Sequence, residues 1–499
     1  MDEHYDDDDH DDDDHGDVRP EDGRLPIGPG WVRAPAQAPV VFPFDDSVIG
    51  SAPVGDASLA QTAVLAAFEA RRAVAAMTTG ARIGVLQQVS EWIRREAASL
   101  VELLVLETGK PRVDCETEVA RSALTWALAA LEPSRPSGET VPVDFLPGTE
   151  SLIASYSRRP AGVVVGIAGF NYPLLLASHK IAPAIAAGAP VIIKPAPATP
   201  LATLRLVAAV RAALSDAGAP VVAVQAVTGG VEVGAALTTD PRVAVVSFTG
   251  SAAVGHAIAR ACAPRKALLE LGSNSALIVC DDADLEAAAD AVVRGGFYAS
   301  GQACISVQRV IVMSAVVQRF TALLLDRVRA VEVGDPRRSR VRVAPLINPA
   351  ATERVLCWIR EAQAAGGTVL TGGHVIGRSI APTVVSGVPD GLDLWDEEVF
   401  GPVVALRSVE SLPDALRVAN HTRYGLQAAV FTASLARAHQ CISELDVGGV
   451  IVNDVPGFRS DALAYGGVKD SGIGREGPHW AVQEYTVTRA AVIRPIAGR

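Results

Sequence analysis

The stretch Phe297-Tyr298-Ala299-Ser300-Gly301-Gln302-Ala303-Cys304-Ile305-Ser306 sets one thiol among small residues, leaving room for a substrate beside the sulfur. A thiol is a nucleophile only as thiolate, and a partly exposed turn beside the first turn of a helix lowers its pKa through unpaired backbone N–H groups. The opposing reading is an inert cysteine, since most free cysteines are buried and unreactive. Cys115, Cys262, Cys280, Cys357 and Cys441 fit that description, lying in apolar helical or strand-like patterns with no C-x-x-C pair and no Cys/His metal spacing. No metal site is expected from them.

Four further positions carry groups that could serve such a thiol. Glu270 lies at the end of the apolar run Leu268-Leu269-Glu270-Leu271, where desolvation raises a carboxyl toward the range of a general base; a carboxylate satisfied by loop N–H groups suits the same position. Asn171, in Gly169-Phe170-Asn171-Tyr172-Pro173, offers an amide to a developing oxyanion, and also suits a plain turn. Lys194 closes an apolar strand, the place where open α/β sheets bind ligands. Phe248-Thr249-Gly250-Ser251-Ala252-Ala253-Val254-Gly255 ends a strand and opens a helix, where free N–H groups favour a phosphate. It is not a G-x-G-x-x-G, and a bare glycine turn has other uses.

These groups need a scaffold, and the hydrophobic periodicity describes one. Helices are expected over Ser58–Ala76, Gly80–Glu107 and Arg112–Leu131. A hairpin follows over Thr140–Arg158 with Pro147-Gly148 at its turn. Strands at 162–167, 190–194, 221–227, 243–248 and 267–271 then alternate with helices at 173–187, 200–217, 231–238 and 253–261. Such alternation gives a parallel, doubly wound sheet. A second series has strands near 276–279, 307–313, 404–409, 428–432 and 449–452, and 485–493 is a β-rich run of Thr and Val.

At 499 residues with 49% hydrophobic content, two or three packed domains are expected. The apolar region Ala161–Pro195 is broken by Asn171, Lys180, Pro173, Pro183 and Pro190 before about 20 clean residues accumulate, so no membrane span is expected. The formal charge of −12 sits almost wholly in residues 1–24, which hold 13 acidic and 2 basic side chains; the rest carries −1. Nothing there calls for nucleic acid. The Asp/His tail self-repels and is expected to be disordered, with weak metal binding as a separate possibility. With no secretory start and six unpatterned cysteines, the cytoplasm is the expected compartment.

From about Leu25 to the C-terminus the chain resembles the aldehyde dehydrogenase superfamily. The resemblance rests on Phe170-Asn171-Tyr172-Pro173, Lys180, Lys194-Pro195-Ala196, Phe248-Thr249-Gly250-Ser251, Glu270-Leu271-Gly272, Gly301-Gln302-Ala303-Cys304, Glu398-Val399-Phe400-Gly401-Pro402 and Tyr465-Gly466-Gly467-Val468-Lys469-Asp470-Ser471-Gly472, in that order. It implies two doubly wound open α/β domains, a Rossmann-like cofactor domain (25–138 and 161–272) and a catalytic domain (273–476), plus a small β oligomerisation element (139–160 and 477–499). The Thr140–Arg158 hairpin and the 485–493 run look like strands with edges to cover, so a homodimer or homotetramer is expected.

The implied reaction is NAD- or NADP-dependent oxidation of an aldehyde. Cys304 would attack the carbonyl carbon, the Asn171 side chain and the Cys304 N–H would hold the oxyanion, and Glu270 would activate the water that hydrolyses the thioester. Lys194 would bind the adenine ribose, Ser251 the pyrophosphate, and Glu398 with Phe400 the nicotinamide ribose and ring. Ile167, Ala168, Gly169 and Phe170 join the cofactor contacts, as do Ala196, Pro197 and Gly230. Phe248, Thr249, Gly250, Val254 and Leu271 complete them.

Two positions depart from the pattern. Pro197 stands where many NAD-preferring relatives have a glutamate, so nothing repels a 2′-phosphate, and Ser273 replaces a second glycine after Glu270-Leu271-Gly272. By position, Tyr172, Leu176, His179, Ala303, Ile305, Phe458 and Arg459 would line the substrate pocket. Arg459 has surface pairing with Asp461 as its alternative. The Cys304 and Asn453–Arg459 segments look most like the lactaldehyde and phosphonoacetaldehyde dehydrogenase branch, which takes small polar aldehydes. The competing functions are a CoA-acylating relative, which typically lacks the glutamate, and a silent binding protein on the same fold.

Overall fold

A computed structural model describes residues 22–135 and 137–495. Most of the acidic tail therefore lies outside the described residues, as does the disorder expected of it. Two parallel-rich sheets and a small antiparallel one organise the chain.

The first sheet runs, in spatial order, Gly472–Ile473, Lys266–Glu270, Val243–Thr249, Val163–Ile167, Val191–Lys194 and Val224–Ala226. All its pairs are parallel except the Gly472–Ile473 edge. Strands such as Val163-Val164-Val165 and Val191-Ile192-Ile193 are completely buried, as expected where helices cover both faces. The order reverses at Val163–Ile167, whose neighbours are the later strands 191–194 and 243–249 on its two sides. That reversal opens a crevice beyond the carboxyl ends of the strands.

Register then decides what faces the crevice. Ile167 pairs with Phe248 and with Lys194, and Thr249 pairs with Glu270, so the ends of four strands deliver their last side chains to one edge. The helix Pro173–Ala187 leaves that edge with Pro at its first turn and stops at Gly188 in the left-handed conformation (φ 74°), the usual asymmetry of helix ends.

The second sheet runs Thr368–Thr371, Thr383–Ser386, Val403–Val409, Arg309–Met313, Ala276–Val279, Gln427–Phe431 and Gly449–Val452, antiparallel only at its first pair. Strand alternation sorts its side chains: Ala276 and Ile278 join one core, Leu277 and Val279 the other. The third sheet pairs Ile153–Pro160 with Gly138–Val141 on one side and Thr486–Ile493 on the other.

Several boundaries differ from expectation. Gly80–Glu107 is two helices, Thr79–Arg95 and Ala97–Thr108, because Glu96 leaves the helical region (φ −88°, ψ 10°) while the apolar period continues across the kink. Residues 221–223 form a 3₁₀ turn ahead of the strand 224–226. The strands 368–371 and 383–386 are additional. Chain after Tyr465 also returns to the first sheet, through Gly472–Ile473 and the helix Pro478–Glu484 packed on the Pro173 helix, rather than closing the second.

Candidate active site

Where the two sheets meet, a cavity of about 600 Å³ is lined from both sides. Gly169, Phe170, Thr249, Gly250, Ser251 and Leu271 enter it from the first sheet's edge; Ala303, Cys304, Ile305, Glu398 and Phe400 enter it from the second. Asn171 Nδ2 donates to Gln302 O at 2.9 Å, which brings the amide to the turn that carries the thiol.

That turn is shaped against backbone preference. Ala299 (φ 48°), Ser300 (φ 57°) and Gly301 (φ 74°) are successive left-handed residues, an arrangement that costs a non-glycine residue about 1–2 kcal/mol. A Cβ on Gly301 would lie 2.0 Å from Gly401 O. Distant groups hold the shape: Ala299 N–H donates to Asp114 Oδ2 at 2.9 Å, and the Ser300 hydroxyl both donates to Ala344 O and accepts from Ala344 N–H, each at 2.9 Å.

Two features of Cys304 run against expectation. The turn leads into the strand Arg309–Met313, not into a helix. Burial pushes the thiol up to about 12, while the Tyr465 hydroxyl, 3.3 Å from Sγ, opposes the shift. Burial thus favours the protonated thiol over the thiolate that the turn suggested.

Glu270 is buried at the strand end, lines the cavity, and has both carboxyl oxygens without a hydrogen bond. Burial first, and then the Glu476 charge, push it well above the usual carboxylate range. Glu476 shifts the other way: burial opposes its ionisation, but His179, Lys180 and Arg459 hold it well below. Lys180 Nζ donates to Thr249 Oγ1 at 2.6 Å and lies 3.5 Å from Glu476.

The nucleotide side fits a dinucleotide. Ser251 caps the helix Ala252–Cys262 without a side-chain cap bond, so first-turn N–H groups are free to meet a phosphate. Gly250 allows the close turn, since a Cβ there would sit 2.5 Å from the Phe248 ring. Lys194 is buried, makes no ion pair among the described residues, and donates only to Pro195 O at 3.5 Å. Glu398 accepts the Ser273 N–H at 3.0 Å and is pushed up to about 7 by burial; the serine at 273 leaves this backbone bond in place. Phe170 and Phe400 meet edge-to-face at 5.8 Å. Ile167, Ala168, Lys194, Ala196, Pro197, Gly230, Phe248 and Val254 stand along the edge outside the cavity lining.

Of the expected substrate residues, Tyr172, Leu176, Ala303, Ile305, Phe458 and Arg459 line the cavity, and His179 does not. His179 is buried behind the wall with Nδ1 3.0 Å from Glu476 and Nε2 3.2 Å from Asp461. Arg459 does pair with Asp461, but the pair is buried rather than superficial.

Sequence reasoning passed over one helix face. Asp114, Glu118, Arg121 and Thr125 follow helical spacing on Arg112–Ala129 and so share a side. Glu118 accepts the Leu174 and Leu175 N–H groups at 2.9 and 3.2 Å and is paired with buried Lys110. Arg121 and Thr125 bond Asp461 at 3.1 and 2.8 Å. With Asp114 on Ala299, one helix ties together the Asn171, Cys304 and Arg459 segments; a polar stripe at three-and-four spacing was its signal.

Among the described residues no group of three His, Cys, Asp or Glu could hold a metal, and no helix is long and apolar enough to cross a membrane. Residues 31–491 match the model of the Aldehyde dehydrogenase family. The chain is 36% identical to aspartate-semialdehyde dehydrogenase 1 of Pseudomonas canavaninivorans, covering 90% of this chain and 94% of that one. It is 38% identical to 3-sulfolactaldehyde dehydrogenase of Priestia aryabhattai, covering 83% and 86%. The solved structure of aldehyde dehydrogenase 21 from Physcomitrella patens, in complex with the reaction product succinate, superposes with a TM-score of 0.91 at 34% identity, covering 94% and 98%. The chain belongs to the aldehyde dehydrogenase family, and it is an NAD(P)-dependent enzyme that oxidises an aldehyde to its carboxylic acid.

Proposed function

We propose that Cys304 carries the covalent step. Its thiol loses its proton to solvent, the thiolate sulfur adds to the aldehyde carbon, the carbonyl π electrons move to oxygen, and that oxyanion is met by the Asn171 amide and the Cys304 N–H. Loss of hydride from the same carbon leaves a thioester on Cys304. The nicotinamide of NAD or NADP supplies the hydride acceptor when bound. Glu270 then takes a proton from water, the water oxygen adds to the thioester carbon, and the C–S bond breaks to give the carboxylic acid and the free thiol.

The observation that carries this reading is Glu270: a buried carboxyl with two unpaired oxygens in the same cavity as the thiol. It supports hydrolysis over transfer to CoA. Ser251 and the first turn of its helix would hold the pyrophosphate, Lys194 the adenine ribose, and Glu398 with Phe400 the nicotinamide end. Pro197 is exposed and brings no carboxylate to the ribose, which supports acceptance of a 2′-phosphate as well as a hydroxyl. The named relatives act on aspartate semialdehyde and 3-sulfolactaldehyde, which supports a small polar aldehyde.

The exposed apolar residues of the third sheet, Ile153, Val487, Val492 and Ile493, support a homodimer or homotetramer formed through its edge. Six unpaired cysteines support the cytoplasm.

Rapid mixing of Glu270→Gln with an aldehyde and NAD should give a burst of reduced cofactor of about one equivalent and then stall. Loss of the burst along with turnover would move Glu270 to an earlier step, the deprotonation of Cys304.

A further inference from the structure

The cavity lining holds charge that aldehyde oxidation does not use. Arg121 and Arg459 both line it, and both turn onto the same oxygen, Asp461 Oδ1, at 3.1 and 3.4 Å. The second Asp461 oxygen is occupied by the Thr125 hydroxyl at 2.8 Å. Arg459 Nη2 also reaches Glu476 at 2.7 Å, but Glu476 is shared with Lys180 at 3.5 Å and His179 at 3.0 Å. Asp461 and Glu476 are thus each shared among several cations, Arg121, Lys180 and Arg459, and Asp114 is a further carboxyl of the cavity lining. Glu270, also in the lining, is pushed toward its neutral form by burial and by the Glu476 charge. A guanidinium carries five N–H donors, and Arg121 commits only one terminal nitrogen to Asp461, which leaves donors for an anion in the cavity.

One buried polar atom of the lining, the Tyr298 hydroxyl, has no hydrogen-bond partner among the described residues. Buried donors of this kind are rarely left unpaired. Tyr465 connects Arg459 to the chemistry, with its hydroxyl 3.3 Å from Cys304 Sγ and its ring 3.8 Å from the Arg459 guanidinium carbon. One aromatic ring therefore spans the distance between nucleophile and guanidinium.

We infer that the substrate is a short aldehyde with an anionic oxygen group, a carboxylate, sulfonate or phosphonate, at its far end, received by Arg121 and Arg459 with Tyr298 as an additional donor. The inference rests on the aldehyde-oxidising reading above. Guanidinium groups suit this task because their fork of donors matches the paired oxygens of such groups. Arg459 is pre-oriented by Glu476 and Asp461, and Arg121, with its side chain 26% accessible, stands toward the cavity mouth.

The test compares three aldehydes of similar size on the full chain with saturating cofactor: succinic semialdehyde, butanal and betaine aldehyde. The expected kcat/KM for succinic semialdehyde exceeds that for butanal at least tenfold, with betaine aldehyde lowest. Arg121→Met should reduce the succinic semialdehyde to butanal ratio about tenfold, chiefly through KM, and Arg121→Lys should restore part of it. Equal values for the first two aldehydes, a preference for betaine aldehyde, or an unchanged ratio in Arg121→Met would overturn the inference while leaving aldehyde oxidation intact. No turnover of any aldehyde would overturn both.

Discussion

Around Lys194 and Ser251 the chain follows its local preferences: apolar strands end, their final residues meet a crevice, and a helix begins with free N–H groups. Around Cys304 it does the opposite. Ala299 and Ser300 are left-handed without being glycine, Phe400 opposite them is left-handed as well (φ 49°), and Asp114, from a helix 185 residues earlier, holds Ala299 in place. A cofactor with a repeated phosphate and ribose geometry can be bound by backbone that folds this way on its own. A nucleophile has to be aimed, and aiming it needs conformations that only the surrounding structure can impose.

The largest test of that contrast exchanges one residue on each side. Gly301→Ala must move its Cβ out of a 2.0 Å approach to Gly401 O, so it should lower stability by at least about 2 kcal/mol and reduce turnover more than tenfold. Lys194→Met removes a buried cation with no ion pair among the described residues; it should leave the unfolding midpoint unchanged or raised while increasing the KM for cofactor about tenfold. Chemical denaturation with steady-state kinetics reads both. Equal losses of stability would break the contrast.

A smaller effect sharpens it from the chemical side. With the thiol pushed up to about 12, the thiolate is the minor form throughout pH 6 to 9. Because the thiolate fraction grows as pH rises toward the pKa, alkylation of cofactor-free enzyme at Cys304 should climb about tenfold per pH unit with no plateau. A plateau below pH 8 would show that the loop itself creates a low-pKa thiol.

The contrast also divides what the residues disclosed from what they hid. Pro173 and Gly188 mark the ends of the 173–187 helix, and the run Val191-Ile192-Ile193-Lys194 shows the edge position of its lysine. Local pattern was enough because each element satisfies its own backbone. Cys304 is half-buried, in keeping with its small neighbours, but the direction of its pKa shift was misjudged because the desolvation comes from long-range packing around residues such as Tyr465, 161 positions away. His179 was misplaced for the same reason, and the Arg459–Asp461 pair, expected on the surface, is buried. Their setting is a buried ionic cluster assembled from the helices 112–129 and 173–187 and the segment 459–476, and no local pattern announces it. Asp114, Glu118, Arg121 and Thr125 were legible as a polar stripe, but their targets were not.

The central claim is that one aimed thiol carries the reaction, and the location of the trapped acyl group tests it most directly. Glu270→Gln mixed with NAD and aldehyde, quenched in acid and digested, should show by peptide mass spectrometry about one acyl group per chain, on the peptide that contains Cys304, with none on the peptides of Cys262, Cys357 or Cys441. An acyl group on another residue, or an unmodified Cys304 in a preparation that has reduced one equivalent of cofactor, would contradict the account.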